Sequence, residues 1–196
     1  MEIILGSKSP RRSEILGYFS IPFRQVASDF DEESVPYEGD PKKLARTLAE
    51  SKAKVLIKQF PDRVILTADT VVAIDGITLG KPANEQESKE MLNRLCGRWH
   101  SVITAVTAAK NGAIFVEDEE TKVLCNAATP EELHRYMRMH ALHDKAGGYA
   151  IQKSGSILVR RIEGCYYNVC GLPINAMRRA LKSVGIDLWD YLKELE

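Results

Sequence analysis

The sequence predicts an α/β fold, on three observations. A short apolar run at residues 3–5 gives way at once to a proline-led helix start. A continuous apolar run at residues 64–74 reads as a strand covered on both faces. Two strong hairpin turns, Asp75-Gly76 and Asn111-Gly112, join strand-like segments. At 196 residues the chain suits one domain over 1–196 with a sizeable core. Its 27 lysines and arginines balance 27 aspartates and glutamates, so attraction to a nucleic-acid polymer or an anionic membrane is not expected and any anion site must be local. Residues 3–5 are too few for a signal-peptide core and no run spans a bilayer, which predicts a cytoplasmic protein. The four cysteines, Cys96, Cys125, Cys165 and Cys170, contain no C-x-x-C pair and lie in apolar stretches, as buried thiols in a reducing compartment do.

In chain order, Gly6-Ser7-Lys8-Ser9-Pro10-Arg11-Arg12 is the first informative stretch. Ser9 suits an N-cap and Pro10 the first helical position, where its missing N–H costs nothing. Ile15, Leu16 and Phe19 then give a helix running toward Phe19 one apolar face. Arg11 and Arg12 fall in its first turn, where the helix dipole penalises a solvated cation by about 0.3–1 kcal/mol. A bound anion reverses that sign. The stretch is a phosphate cradle built from Ser7, Ser9 and three cations, or a solvated basic turn. It is not a P-loop, which needs G-x-x-x-x-G-K-[ST].

Residues 21–26 read as a short strand, and 29–39 as an acidic loop. A solvated loop is the commoner use of such a segment, but Asp31 and Glu32 offer hard oxygen ligands to a divalent ion near the cradle. Asp40-Pro41 then starts a long helix to about Gln59. Its stripe of Leu44, Leu48 and Leu56 skips one rung, occupied by Lys52. A lysine there snorkels to the surface, the commoner behaviour, or points at a buried anion. Asp69 lies in the middle of the apolar strand, where a carboxylate is costly unless paired, metal-bound or facing a cleft. After the Asp75-Gly76 turn the chain returns through residues 77–79 to Gly80-Lys81-Pro82, which brings Lys81 near the Asp69 end of the sheet.

Asn84 and Glu87 form a capping-box-like start to a helix ending at Gly97, with Met91, Leu92 and Leu95 buried. Strands at 99–109 and 113–116 flank Asn111-Gly112, followed by an acidic patch and a separate strand at 121–125. His100 beside an aromatic suggests a structural histidine. Thr129-Pro130-Glu131-Glu132 opens a helix through Met139. His140 and His143 lack further ligands, which argues against zinc. In the stretch 144–152, Gly147-Gly148 permits close backbone approach. Gln152 follows, and its amide both donates and accepts, as reading a pyrimidine edge requires; an ordinary loop is the alternative. A strand at 157–162, a helix ending near Gly185 and a short final helix around Leu188, Trp189 and Leu192 complete the chain.

Together these stretches resemble the Maf family of nucleotide pyrophosphatases. The matching pieces are Ser7-Lys8-Ser9-Pro10-Arg11-Arg12, Asp31-Glu32, Ala68-Asp69-Thr70, Leu79-Gly80-Lys81-Pro82, Gly97-Arg98 with His100, residues 144–152, and Asn168-Val169 with Gly171-Leu172-Pro173. The resemblance implies an elongated α/β protein with a mixed, strongly twisted sheet flanked by helices, and two lobes around a cleft. It also implies hydrolysis of nucleoside triphosphates to the monophosphate and pyrophosphate with a divalent metal cation, Mg²⁺ or Mn²⁺, and a homodimer. Asp69 matches the family's catalytic acid, a general base or metal ligand, while Arg11, Thr70 and Gln152 match positions linked to substrate choice. The Ala-Asp-Thr and Ile-Gln pairings look like the subfamily acting on dTTP and UTP rather than on 7-methyl-GTP. On this reading water attacks the α-phosphorus beside an ion held by Asp69 and Glu32. Arg11, Arg12, Lys81 and an inward-pointing Lys52 hold phosphate oxygens, and Ser7 and Ser9 line the substrate site. Three departures, Ala105, Cys125 and Ala141-Leu142-His143, touch no proposed catalytic atom; the last bears on the base pocket. A competing expectation is a regulatory module that sequesters nucleotide without turnover. A dinucleotide-binding oxidoreductase is disfavoured, since no G-x-G-x-x-G follows a strand.

Overall fold

In the computed structural model, which describes residues 2–139 and 145–194, seven strands form one open, mixed sheet. They are β1 (Ile3–Gly6), β2 (Phe23–Val26), β3 (Val64–Ile74), β4 (Ile77–Leu79), β5 (Trp99–Lys110), β6 (Ala113–Cys125) and β7 (Val159–Glu163), in the order β2-β1-β3-β5-β6-β7 with β4 also on β3. β1 runs parallel to both β2 and β3, and all later pairings are antiparallel. The helices are α1 (Pro10–Leu16), α2 (Pro41–Gln59), α3 (Glu85–Leu95), α4 (Pro130–Met139), α5 (Tyr166–Val169) and α6 (Ile174–Ser183). The α/β expectation holds.

Local chemistry sets the helix starts. Asp40 Oδ1 accepts from the N–H groups of Lys42 and Lys43 at 2.9 and 3.1 Å, and Pro41 follows it. Asn84 Oδ1 accepts from Glu87 N–H at 2.9 Å while Glu87 reaches back to Ala83 N–H at 2.7 Å. Thr129 and Glu132 cap each other reciprocally, at 3.3 and 2.7 Å.

The period of two along β3 divides the core. On one face Val64, Leu66 and Ala68 pack with Ile15 and Leu16 of α1 and Met177 and Leu181 of α6. Farther along that face Val72 and Ile74 pack with α3 and α4 through Met91, Leu92, Leu95 and Leu133. Thr70 falls in the gap between these two helical layers. On the opposite face Ile65 and Val71 meet α2 through Ala53, Leu56, Ala45 and Ala49. Leu56 and Leu16 are fully buried, each contributing about 1.5–3 kcal/mol. Close approach of α2 to the end of β1 needs Gly6, since a Cβ there would lie 2.3 Å from Leu56 Cδ1 and 2.6 Å from Thr67 Cγ2.

Several boundaries differ from expectation. α1 ends at Leu16, and the chain continues in tight turns in which Tyr18 and Phe19 N–H bond to Ile15 and Leu16 O at 3.2 Å. β2 begins at Phe23: Ile3 N–H bonds the Pro22 carbonyl at 2.9 Å as the first rung of the pairing, and Pro22 has no N–H with which to extend it. The last strand starts at Val159 after a 3-10 segment, Lys153–Leu158. The acidic patch does not interrupt β6, which is one strand of 13 residues. Asp118 accepts ion pairs from Lys42 and Arg46 of α2 at 2.8 and 2.5 Å, and Glu117 from Arg179 of α6 at 2.7 Å, so cations from both faces neutralise it. His140, His143 and Asp144, and with them the Ala141-Leu142-His143 departure, lie outside the described residues.

Candidate active site

β1 pairs with β3 only as far as Gly6 opposite Thr67, and β4 takes up the same edge only at Leu79 opposite Val72. Residues 68–71 of β3 therefore have no strand on that side among the described residues. The carboxyl end of β1 opens into this gap beside the middle of β3, and the order 2-1-3 makes it a topological switch point, where α/β sheets form ligand crevices. The loop after β1, the acidic loop before α2 and the Gly80-Lys81 turn after β4 close around it to form a hollow.

Asp69 and Lys52 meet at the floor of that hollow. Each is more than nine-tenths buried, and Lys52 Nζ donates to Asp69 Oδ1. The same nitrogen lies 2.9 Å from Glu32 Oε1, and Lys81 Nζ approaches Glu32 Oε2 at 3.5 Å. The snorkelling alternative for Lys52 is overturned: a buried carboxylate holds the ammonium inward, as its place in the leucine stripe allows. Glu32 heads a 3-10 turn, Glu32–Ser34, capped by Asp31, whose Oδ1 accepts Glu33 N–H at 3.1 Å. Asp31 is thus engaged as a cap rather than aimed as a ligand. Burial alone pushes the Glu32 carboxyl up, but Lys52 and then Lys81 outweigh it and hold the group below the usual range.

Ser9 stands at the N-cap position, yet its hydroxyl caps nothing. The loop is held instead by Ser7 Oγ, which accepts Ser9 N–H at 3.1 Å, and by Gln25 on β2, whose amide donates to the carbonyls of Ser7 and Ser9 at 2.8 and 3.2 Å. Sequence reasoning missed Gln25, since nothing local links it to that loop. Arg12 Nε donates to Gly171 O at 2.7 Å, Nη2 to Thr70 Oγ1 at 3.1 Å and Nη1 to Ser7 Oγ at 3.4 Å. Gly171 presents that carbonyl at φ +98°, a conformation natural to glycine. Burial lowers the Arg12 pKa, against an opposing pull from Asp69.

Beyond Arg12 and Thr70 a second hollow begins, sharing Ser9 and Arg11 with the first and walled by Val72, Val102, Tyr149, Ile151, Gln152 and Val169. Its lining is mixed, with these apolar side chains set beside the Gln152 amide, Lys145 and the shared Ser9 and Arg11, a composition that suits a flat polar ring. All the residues expected from the sequence, Ser7, Ser9, Arg11, Arg12, Glu32, Lys52, Asp69, Thr70, Lys81 and Gln152, thus line one hollow or the other.

Asn168, given no role by sequence reasoning, pins the far wall. Fully buried, it accepts Thr104 N–H on Oδ1 at 3.0 Å and donates from Nδ2 to Val102 O at 2.8 Å and Thr121 Oγ1 at 2.9 Å. His100 behaves structurally: its Nε2 lies 2.7 Å from the Tyr149 hydroxyl, and burial lowers its pKa to about 4. All four cysteines are free, and burial raises Cys125 to about 12 and Cys170 to about 11, so neither is a thiolate at neutral pH.

The Maf-like protein family model matches residues 2–184. A dTTP/UTP pyrophosphatase of Chlamydia felis is 44% identical over 192 residues, spanning 97% of this chain and 98% of that protein. A nucleoside triphosphate pyrophosphatase of Chlamydia muridarum is 41% identical over 192 residues, spanning 97% and 98%. A dTTP/UTP pyrophosphatase of Caldicellulosiruptor bescii is 40% identical over 191 residues, spanning 95% and 96%. Near-complete coverage at this identity, together with the family match, places the chain in the Maf family.

Proposed function

We propose that this chain, as one catalytic domain over 1–196, hydrolyses nucleoside triphosphates, dTTP and UTP foremost, to the monophosphate and pyrophosphate. The observation that carries the reading is the pair of joined hollows. One collects acids and cations beside the open edge of β3, the other sets apolar side chains beside the Gln152 amide, and Arg12 and Thr70 line both. A nucleotide laid across that boundary puts its base beside Gln152 and its phosphates beside Arg11, Lys81 and Lys52.

In this mechanism the water oxygen bonds to the α-phosphorus while the bond to the α,β-bridging oxygen breaks and pyrophosphate leaves. Asp69 takes the water proton. Its Oδ1 is the oxygen committed to a cation, Lys52 Nζ in this structure, which leaves Oδ2 as the accepting atom. Arg11 and Lys81 offset charge on the transferring and leaving phosphates. Arg12 lines both hollows, and its contacts to Gly171, Thr70 and Ser7 fix the guanidinium, three of its five N–H donors being engaged.

Glu32 and Asp69 suit a divalent cation, Mg²⁺ or Mn²⁺, because both carboxylates already converge on one cationic atom, Lys52 Nζ. Among the described residues no group of three or more His, Cys, Asp and Glu side chains converges, so the remaining ligands fall to nucleotide and water oxygens. When bound, the ion supplies charge offset at the phosphates and acidifies water. A homodimer and a cytoplasmic location belong to the same reading. No helix among the described residues is long and apolar enough to cross a membrane.

The test is pyrophosphate release by purified protein across canonical and modified nucleoside triphosphates, with Mg²⁺, Mn²⁺ and chelator arms. Metal-dependent release selective for dTTP and UTP is the expected result. Binding without release from any nucleotide would instead establish the sequestering module.

A further inference from the structure

We propose that Lys52 occupies the cation position of the acid cluster in the nucleotide-free protein, so that the divalent ion enters only together with its nucleotide. This rests on the nucleotide reading above and adds an order to it. Lys52 Nζ makes the contacts a metal ion would need, bonding Asp69 Oδ1 and lying 2.9 Å from Glu32 Oε1. Ammonium and metal compete for the same two oxygens.

Three features make the lysine win when the protein is alone. The Lys52 side chain is 9% exposed, so an ion that displaced it would strand an ammonium in a buried place without a partner. The lining of the hollow is already cationic: Lys8, Arg11, Arg12, Lys52 and Lys81 face Asp31, Glu32, Glu33 and Asp69, five charges against four. A bare divalent ion therefore meets repulsion as well as competition. Finally, the protein offers it only two converging carboxylates among the described residues, against the six oxygens Mg²⁺ prefers.

A triphosphate reverses each feature. It supplies oxygens to complete the ion's coordination, offsets the cationic lining, and gives the displaced Lys52 a phosphate oxygen to bind. Lys81, released from Glu32, finds the same kind of partner. Nucleotide and ion thus raise each other's affinity by the same factor, as linkage requires.

The experiment is a Mn²⁺ titration followed by electron paramagnetic resonance of the unbound ion, which needs no turnover. Three samples are compared: wild type, Lys52→Gln and Lys52→Gln with Asp69→Asn, each checked for native circular dichroism. Each is titrated alone and with an α,β-methylene analogue of dTTP, and the Mn²⁺ that the analogue chelates without protein, titrated separately, is subtracted so that only ion held by the protein is compared. Wild type alone should bind Mn²⁺ at least about tenfold more weakly than wild type with the analogue, within the ordinary range of site coupling. Lys52→Gln alone should bind at least about tenfold more tightly than wild type alone, and the added Asp69→Asn should remove that gain. Equal affinity of wild type with and without an analogue that demonstrably binds would overturn the proposal, a comparison that stands even if Lys52→Gln does not fold. A folded Lys52→Gln that binds Mn²⁺ no better than wild type would overturn it too. Failure of the nucleotide reading looks different: the analogue would not bind any sample, while the gain in Lys52→Gln persisted and upheld the cation role of Lys52.

Discussion

Thr70 Oγ1 lies 3.0 Å from Thr104 Oγ1, directly across the pairing of β3 with β5. Thr104 donates its hydroxyl proton to Asn168 O at 2.9 Å, so between the two hydroxyls Thr70 must be the donor. Thr70 then turns a lone pair toward Arg12 Nη2, at 3.1 Å. A one-way chain of hydrogen bonds, Arg12 to Thr70 to Thr104 to Asn168, fixes the boundary between the two hollows. Asn168 O keeps a second donor, Gly171 N–H at 3.0 Å, so α5 stays in place if Thr104 is altered. Thr104→Val should cost about 1 kcal/mol, the net value of a hydrogen bond. It should also raise KM several-fold with little change in kcat, as Thr70 loses its fixed rotor. Thr104→Ser should restore both. Denaturant midpoints and steady-state kinetics check the pair of outcomes; a valine variant with wild-type KM would show that the chain does not hold the substrate wall.

Asp69→Asn keeps the shape of the side chain and removes its basicity. The neutral amide cannot take the proton of the attacking water, and it faces Lys52 without the opposite charge. Turnover should fall by about 10²–10⁴-fold, the usual yield of a positioned base. Binding of the methylene analogue, made largely through Arg11, Arg12 and the base pocket, should change far less. Pyrophosphate release and calorimetric binding separate the two, and a near-normal rate would remove Asp69 from its assigned role.

Gln152 stands on the wall of the second hollow with extended backbone, φ −87° and ψ 151°. If its amide reads the base edge, Gln152→Ala should lower kcat/KM for dTTP and UTP by about tenfold, through KM, equivalent to roughly 1.4 kcal/mol of lost polar contact. Purine nucleotides, which make no such contact, should be affected little. A uniform loss over all bases would assign the residue to packing instead.

Much of this arrangement was legible in the sequence because its causes are local. The turn at Asp75-Gly76 fixes the β3–β4 hairpin, and that hairpin alone carries Lys81 back toward Asp69. The caps at Asp40, Asn84 and Thr129 likewise announce themselves within four residues. What could not be read depends on groups far along the chain. Residues 117–120 look like a break because their charges are visible and their partners, Lys42, Arg46 and Arg179, are not. The inward turn of Lys52 depends on Asp69, 17 residues later and in a different element. Gln25 carries no sequence signal beyond being an amide near apolar residues, and Asn168 stands out only as part of a family-like stretch that names no role for it. Each matters only because the sheet order places it against the loop or strand it holds.

His100 and Tyr149 give the protein an acid-sensitive joint beside the base pocket. The imidazole is 4% exposed, and burial lowers its pKa from 6.5 to about 4, so the folded state prefers it neutral. Between those two values the unfolded chain binds the proton and the folded chain does not. Stability is therefore fully present above about pH 6.5 and is lost as the pH falls toward 4, by about 3 kcal/mol in total if the whole shift is expressed. His100→Gln keeps a side chain able to hydrogen-bond the Tyr149 hydroxyl but cannot titrate. Its unfolding free energy should be lower than wild type at pH 7.5, and should decline less steeply between pH 6.5 and 4, so that the two curves converge in acid. Because Tyr149 walls the pocket, wild-type KM should rise over the same interval before unfolding becomes global. Urea unfolding of both proteins across that range checks the slope, and parallel curves would show that some other group carries the acid sensitivity.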